Sequence, residues 1–208
     1  LPVSKACIAP LFLIVNAQAP YRTLQEFIAY GKSRSEGLNF GSPGSGSQPH
    51  LAGELLMRDA GVKGLSVHFR GDAMAYTELL AGRIDATLTA ISTALPHIQA
   101  GKLRVLGVAS AQRSTIYPDA PTLREQGMAN VVASGWYGFM LPAGTPPAIV
   151  ARLHGAVDRA LNDADIRSKL LAQGLEADPS TAAAFASFVE AESAKWGDVI
   201  RKAGIKGD

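Results

Sequence analysis

Leu38-Asn39-Phe40-Gly41-Ser42-Pro43-Gly44-Ser45-Gly46-Ser47-Gln48-Pro49-His50-Leu51-Ala52-Gly53-Glu54-Leu55-Leu56 reads as a short apolar strand, a Gly/Ser loop and the start of a helix. The glycines open backbone conformations closed to other residues and the serines supply hydroxyls, so the loop can turn its N–H groups toward an anion. Ser47 is placed to cap the helix, with Pro49 in the first turn where a missing N–H costs little. A carboxylate at such a helix start meets unpaired donors and the positive end of the helix dipole. Loops of this composition also occur as plain connections, and that reading stands beside the first. The stretch has no Gly-Lys-Ser/Thr ending, no G-x-G-x-x-G fingerprint and no G-x-S-x-G elbow, which argues against nucleotide phosphate binding and a serine nucleophile.

The strand-then-helix pattern continues downstream: Leu65–Phe69 and Asp72–Ala81, Ile84–Thr89 and Ser92–Ala100, then Leu103–Ala109. Gly61, Gly82 and Gly101 fall at the helix ends, where left-handed caps are expected. Alternation with short loops predicts a parallel sheet, and ligands of such sheets gather beyond the carboxyl ends of the strands. That rule selects the loops 42–47, 70–73 and 89–92. Within them Asp72 reads either as a helix N-cap or as a ligand contact, and Arg70 either as a partner for an acidic ligand or as a solvated side chain. His50 is either a structural residue or a hydrogen-bonding group for loop or ligand. Asp85, inside a strand, reads as a local ion-pair partner rather than an acid or base.

Upstream, Val3–Ile8 and Leu11–Val15 are two apolar, β-prone segments, and Thr23 with Glu26 has capping-box spacing for a helix reaching about Arg34. Downstream, Ser110–Pro121 is turn-rich, and Thr122 with Glu125 repeats the capping-box spacing for a short helix. Ser134–Leu141 is an aromatic strand whose Trp136 and Tyr137 point to opposite faces; either both are core, or one packs while the other reaches a cleft. Thr145 and Pro146 then open a helix with Ile149, Leu153, Val157 and Leu161 on one face. Ala164–Gln173 and Ser180–Lys202 are further helices, the last with Phe185, Phe188, Val189, Trp196, Val199 and Ile200 as its stripe. The helical tail needs a sheet, and Ile8–Val15 with Trp136–Leu141 are the segments left to supply it. The expected organisation is an α/β fold of two lobes joined at a hinge: a βα lobe over 17–120, and a second built from 1–16 and 121–208.

Composition narrows the function. A net charge of +2 with scattered Lys and Arg gives no nucleic-acid footprint. Cys7 is the one cysteine, so no intrachain disulfide or cysteine metal cluster can form, and His50, His68, His97 and His154 show no H-x-x-x-H spacing. No metal or cofactor is expected, and no nucleophile–base pair for catalysis. No apolar run approaches the roughly 20 residues of a membrane span. The chain starts at Leu1 without a basic, apolar leader, so a signal peptide is expected to be removed or absent.

The loop stretch, together with His68-Phe69-Arg70-Gly71-Asp72-Ala73, Ala94-Leu95-Pro96-His97-Ile98-Gln99-Ala100-Gly101-Lys102-Leu103-Arg104, Pro118-Asp119-Ala120-Pro121-Thr122 and Pro142-Ala143-Gly144-Thr145-Pro146, resembles the Bug (TctC-like) solute receptors of tripartite tricarboxylate transporters. The resemblance runs in order through almost the whole chain. It implies a periplasmic-binding-protein-like (type II) Venus flytrap that binds a small carboxylated solute in the periplasm and delivers it to membrane permease subunits, without catalysis. It places the ligand at Ser42, Gly44, Ser45, Gly46, Ser47 and His50, then at Gly71, Asp72 and Ala73, with Thr89 and Ala90 as further contacts. Two departures accompany it. The family's N-terminal strand and Pro-Gly-Gly loop are not found, so the N-terminal third of one lobe is expected to be missing and the face it leaves is expected to favour self-association. Asp72 stands where the family often has Gly, and Thr89-Ala90 where it often has a polar or acidic pair. A carboxylate at 72 repels an anion unless an amine or Arg70 compensates, which implies a zwitterionic ligand or an altered pocket. Two alternatives stay open: the effector-sensing domain of a transcription regulator, and an α/β enzyme acting on a carboxylate.

Overall fold

The computed structural model describes residues 1–205. The elements run β1 (Pro2–Asn16), α1 (Leu24–Ser33), β2 (Leu38–Ser42), α2 (Gln48–Ala60), β3 (Gly64–His68), α3 (Asp72–Leu80), β4 (Ala86–Ala90), α4 (Leu95–Gln99), β5 (Leu103–Val108), β6 (Ser134–Met140), α5 (Pro147–Asn162), α6 (Ala164–Ala172), β7 (Glu176–Ala177) and α7 (Ala182–Ala203). They form two compact units, one of Pro10–Ser134 with the end of α7, the other of Leu1–Ala9 with Gly135–Asp198.

In the larger unit the strand order is β3-β2-β4-β1-β5. β2 lies parallel to both β3 and β4, as the alternating pattern predicts. The sheet as a whole is mixed, because β1 runs antiparallel between β4 and β5. Phe12, Leu13, Ile14 and Val15 are wholly buried there, as a central strand covered on both faces requires. Phe12 and Ile14 pack with Tyr76, Leu79, Ile91 and Leu103 in the core. Two expectations change as a result. The apolar segments at the N-terminus are one strand of 15 residues, continuous through Ala9-Pro10. Its second half completes the βα sheet instead of serving the helical tail, and the larger unit takes in Pro10–Ser134 with the end of α7 where the sequence suggests 17–120.

Local signals act as the residue chemistry directs. Thr23 and Glu26 form a full capping box at α1. Gly61, Gly82 and Gly101 sit at φ +62°, +69° and +68°, the left-handed geometry of helix ends. α2 lies close on β2 because Gly53 has no side chain; a Cβ there would stand 2.6 Å from the Phe40 ring. At Thr122 the two reciprocal cap bonds with Glu125 form, at 2.6 and 2.9 Å, yet the segment they close is a run of turns rather than a helix. α4 is shorter than expected, without a side-chain cap. Asp85 behaves as read: Arg34 Nη1 lies 3.0 Å from its Oδ1, and the Asn39 N–H donates to its Oδ2 at 2.7 Å.

In the smaller unit the first half of β1 pairs with β6 and, antiparallel, with β7. Trp136 packs edge-on against Phe185 and Phe188 while Tyr137, its neighbour on the other face, is 60% exposed. Phe185 of α7 is fully buried, and Gly138 makes room for its ring. Lys5 reaches Asp178 at 2.6 Å. Two details differ from expectation. Thr145 does not cap α5, since its hydroxyl donates to Pro142 O at 2.9 Å and Pro146 is the N-cap residue. Of the α5 stripe, Val157 and Leu161 pack inward, while Ile149 and Leu153 remain exposed along with Phe139 and Met140 of β6. No helix among the described residues is long and apolar enough to cross a membrane.

Candidate functional site

The parallel strands β2, β3 and β4 end side by side, which carries the three loops picked out by the sequence to one edge of the larger unit. Ser42 and His68 close β2 and β3 in register, with Ser42 Oγ 2.8 Å from His68 Nδ1. The Phe69 N–H donates to Ser42 O at 2.9 Å and the Gly71 N–H to Pro43 O at 3.3 Å, tying the second loop to the first. Thr89, near the end of β4, donates its hydroxyl to Asp72 Oδ1 at 2.6 Å, and Tyr76 OH donates to Ala90 O at 2.8 Å, tying the third loop to the second. All eleven residues expected at the site therefore lie in one contiguous cluster.

The first loop is braced from within. Ser47 Oγ donates to Gly44 O at 2.7 Å and accepts the His50 N–H at 3.4 Å, the cap expected from the sequence. The Gly46 N–H, at a residue with φ +69°, donates to His50 Nδ1 at 3.0 Å. That bond leaves the His50 proton on Nε2, which faces Glu54 Oε1 at 3.7 Å. Burial, then the neighbouring His68, push the His50 pKa below 6.5, with Glu54 opposing them. The ring is thus neutral at pH 7 and buried, and it acts as a strut under the loop.

What the loops leave available is a set of donors. Among the described residues no acceptor is found for the N–H groups of Gly44, Ser45 and Gln48, nor for those of Asp72 and Ala73 at the start of α3. The Ser45 hydroxyl is likewise unengaged and its residue exposed. The N–H groups of Gln48, Asp72 and Ala73 sit at two helix N-termini, where the backbone dipoles favour an anion, and those of Gly44 and Ser45 lie in the loop just ahead of α2. The N-cap of α3 is Gly71, at φ +96° with no side-chain cap bond, so Asp72 is the first helical residue and not the cap itself. Arg70 is exposed and makes no ion pair among the described residues.

Ser42 and His68 approach as a hydroxyl and an imidazole do in hydrolases, but Ser42 is 1% exposed and its hydroxyl donates to Gly44 O at 3.3 Å. A hydroxyl sealed in this way is a brace for the loop. No group of three or more His, Cys, Asp or Glu able to hold a metal exists among the described residues. Two members of the cluster are not singled out by the sequence reading: His68, whose ring lies 4.3 Å from that of His50, and Tyr76. His68 had a usable signal, since it lies in the predicted strand Leu65–Phe69, just before the second loop. Tyr76 had none, because its reach to Ala90 depends on how α3 lies over β4.

Residues 1–205 match the family described as tripartite tricarboxylate transporter family receptor. The chain belongs to that family. It is 32% identical over 206 residues to Protein BugT of Bordetella pertussis, covering 99% of this chain and 63% of BugT. Among solved structures, Rpa4515 of R. palustris with adipate superposes at a TM-score of 0.83 with 30% identity, covering 98% of this chain and 68% of that one. MatC (Rpa3494) from Rhodopseudomonas palustris with bound malate gives 0.78 and 33%, covering 96% and 69%. The α/β fold is accordingly that of these solute-binding proteins, which are receptors and not enzymes. The chain spans a little under two thirds of the length of BugT.

Proposed function

We propose that this chain forms the ligand-holding part of a periplasmic receptor that binds a small carboxylate-containing metabolite and hands it to the membrane permease subunits of a tripartite transporter. One observation carries the reading: in a member of this receptor family, unpaired N–H donors of the first loop and of the α2 and α3 starts lie beyond the ends of β2, β3 and β4. Such donors stabilise a carboxylate without a dedicated counter-charge, because the backbone dipoles are fixed in place before the solute arrives. Ser42, Gly46, Ser47 and His50 hold the first loop in shape; Gly44, Ser45, Gln48, Asp72 and Ala73 offer N–H groups; Gly71, Thr89 and Ala90 fix the second and third loops against them. The malate and adipate held by similar receptors are of the same chemical class.

A thermal-shift screen of the protein against dicarboxylates, tricarboxylates, acidic amino acids and aromatic acids tests the reading. A solute at 100 times its dissociation constant adds about 2.7 kcal/mol to the native state. For a chain of this size that is a rise in Tm of about 5–10 °C. A carboxylate that raises Tm saturably supports the proposal. A folded sample indifferent to every carboxylate refutes it.

A further inference from the structure

We infer that Asp72 makes this receptor selective for a solute that carries an ammonium group beside its carboxylates. The inference rests on the proposal that the β2, β3 and β4 loops hold the solute. Asp72 is half-buried at the edge of that donor cluster, and only one of its oxygens is engaged: Oδ1 accepts the Thr89 hydroxyl at 2.6 Å. Oδ2 accepts no hydrogen bond among the described residues, and no Lys, Arg or His there forms an ion pair with this carboxylate.

The same short loop carries the opposite charge two residues earlier. Arg70 is exposed and makes no ion pair with Asp72 or any other acid among the described residues. A guanidinium and a carboxylate left apart in one loop, with unpaired N–H groups at Gly44 and Ser45 in the neighbouring loop to which Gly71 is bonded, present both signs of charge to whatever enters. A plain dicarboxylate satisfies the N–H groups and Arg70 but is repelled by Asp72. An amino dicarboxylate satisfies all three, its ammonium donating to the vacant acceptor Oδ2. The field of Asp72 is felt nearby: after burial, its charge is the next cause holding the Tyr76 phenol well above its ordinary pKa.

Asp72 also opens α3, where a negative charge favours the helix on its own. The variant Asp72→Asn separates the two roles, because its amide oxygen still accepts from Thr89 while the charge is gone. Calorimetric titration with the matched pairs aspartate and succinate, and glutamate and glutarate, reads the ratio directly. The native protein is expected to prefer the amino acid of at least one pair by tenfold or more. Asp72→Asn is expected to erase or reverse that preference, with the amine-free acid gaining affinity. A native protein that prefers the amine-free acids, or a variant that keeps the native ratio and merely melts earlier, overturns the inference and leaves the receptor reading standing. Failure of all four acids, together with every other carboxylate, overturns both.

Discussion

Replacing Gly71 by alanine should loosen the site from its backbone outward. Gly71 sits at φ +96°, ψ 167°, a region that only glycine enters without strain. A Cβ built there meets no atom within 4 Å, so the substitution creates no clash and its cost is torsional. Holding a non-glycine residue in such a conformation costs about 1–3 kcal/mol. At about 2–4 °C per kcal/mol for a chain of this size, Tm should fall by about 2–12 °C. If the loop instead escapes the strain by rotating to negative φ, the Gly71 N–H leaves Pro43 O and the Asp72 and Ala73 N–H groups swing with it. Solute affinity then falls by about tenfold or more, each tenfold being about 1.4 kcal/mol. Thermal denaturation followed by circular dichroism, paired with calorimetric titration of a solute found in the screen, measures both routes. Gly44→Ala is the control for stability, since Gly44 has no positive φ and an added Cβ meets open space; its effect should stay within about 0.5 kcal/mol. Native Tm and affinity in Gly71→Ala would refute the reasoning.

Phe185→Ala should cost about 3–5 kcal/mol in chemical denaturation, since the ring is fully buried between Trp136 and Gly138, and a loss under 1 kcal/mol would mean that this packing is not as described. Ser47→Ala removes the α2 cap and the brace on Gly44 O, and should lower stability by about 1 kcal/mol in urea unfolding; no change would show the cap to be idle. His50 couples stability to pH. Its folded pKa lies below 6.5, so the unfolded chain takes up this proton first as the pH falls. The stability it contributes is whole above pH 6.5 and is lost as the pH drops from there toward the folded-state value; the pH slope of urea unfolding should flatten in His50→Gln, and an unchanged slope would exclude the residue as its source.

Much of this was legible because the signals are local. Thr23 with Glu26, Ser47 with Pro49, and the glycines at 61, 82 and 101 specify caps whose geometry hardly depends on the rest of the chain. The loops at 42–47, 70–73 and 89–92 were found together because strand–helix alternation places carboxyl ends on one edge. What failed to show was long-range. Leu11–Val15 is equally apolar in any central strand, and nothing near it says that it lies antiparallel between β4 and β5. Thr122–Gly127 carries a correct capping box, yet a box only closes a turn; the helix must come from packing. His68 and Tyr76 join the site through β2–β3 register and the lie of α3, both tertiary facts.

The most direct test of the central claim is a map of backbone amide shifts in an NMR titration of the protein with a carboxylate solute identified by the screen. The account predicts that the amides of Gly44, Ser45, Gln48, Asp72 and Ala73 move saturably and ahead of the rest, as donors taking up an anion. Saturable shifts confined to other residues, with these five unmoved, would contradict it.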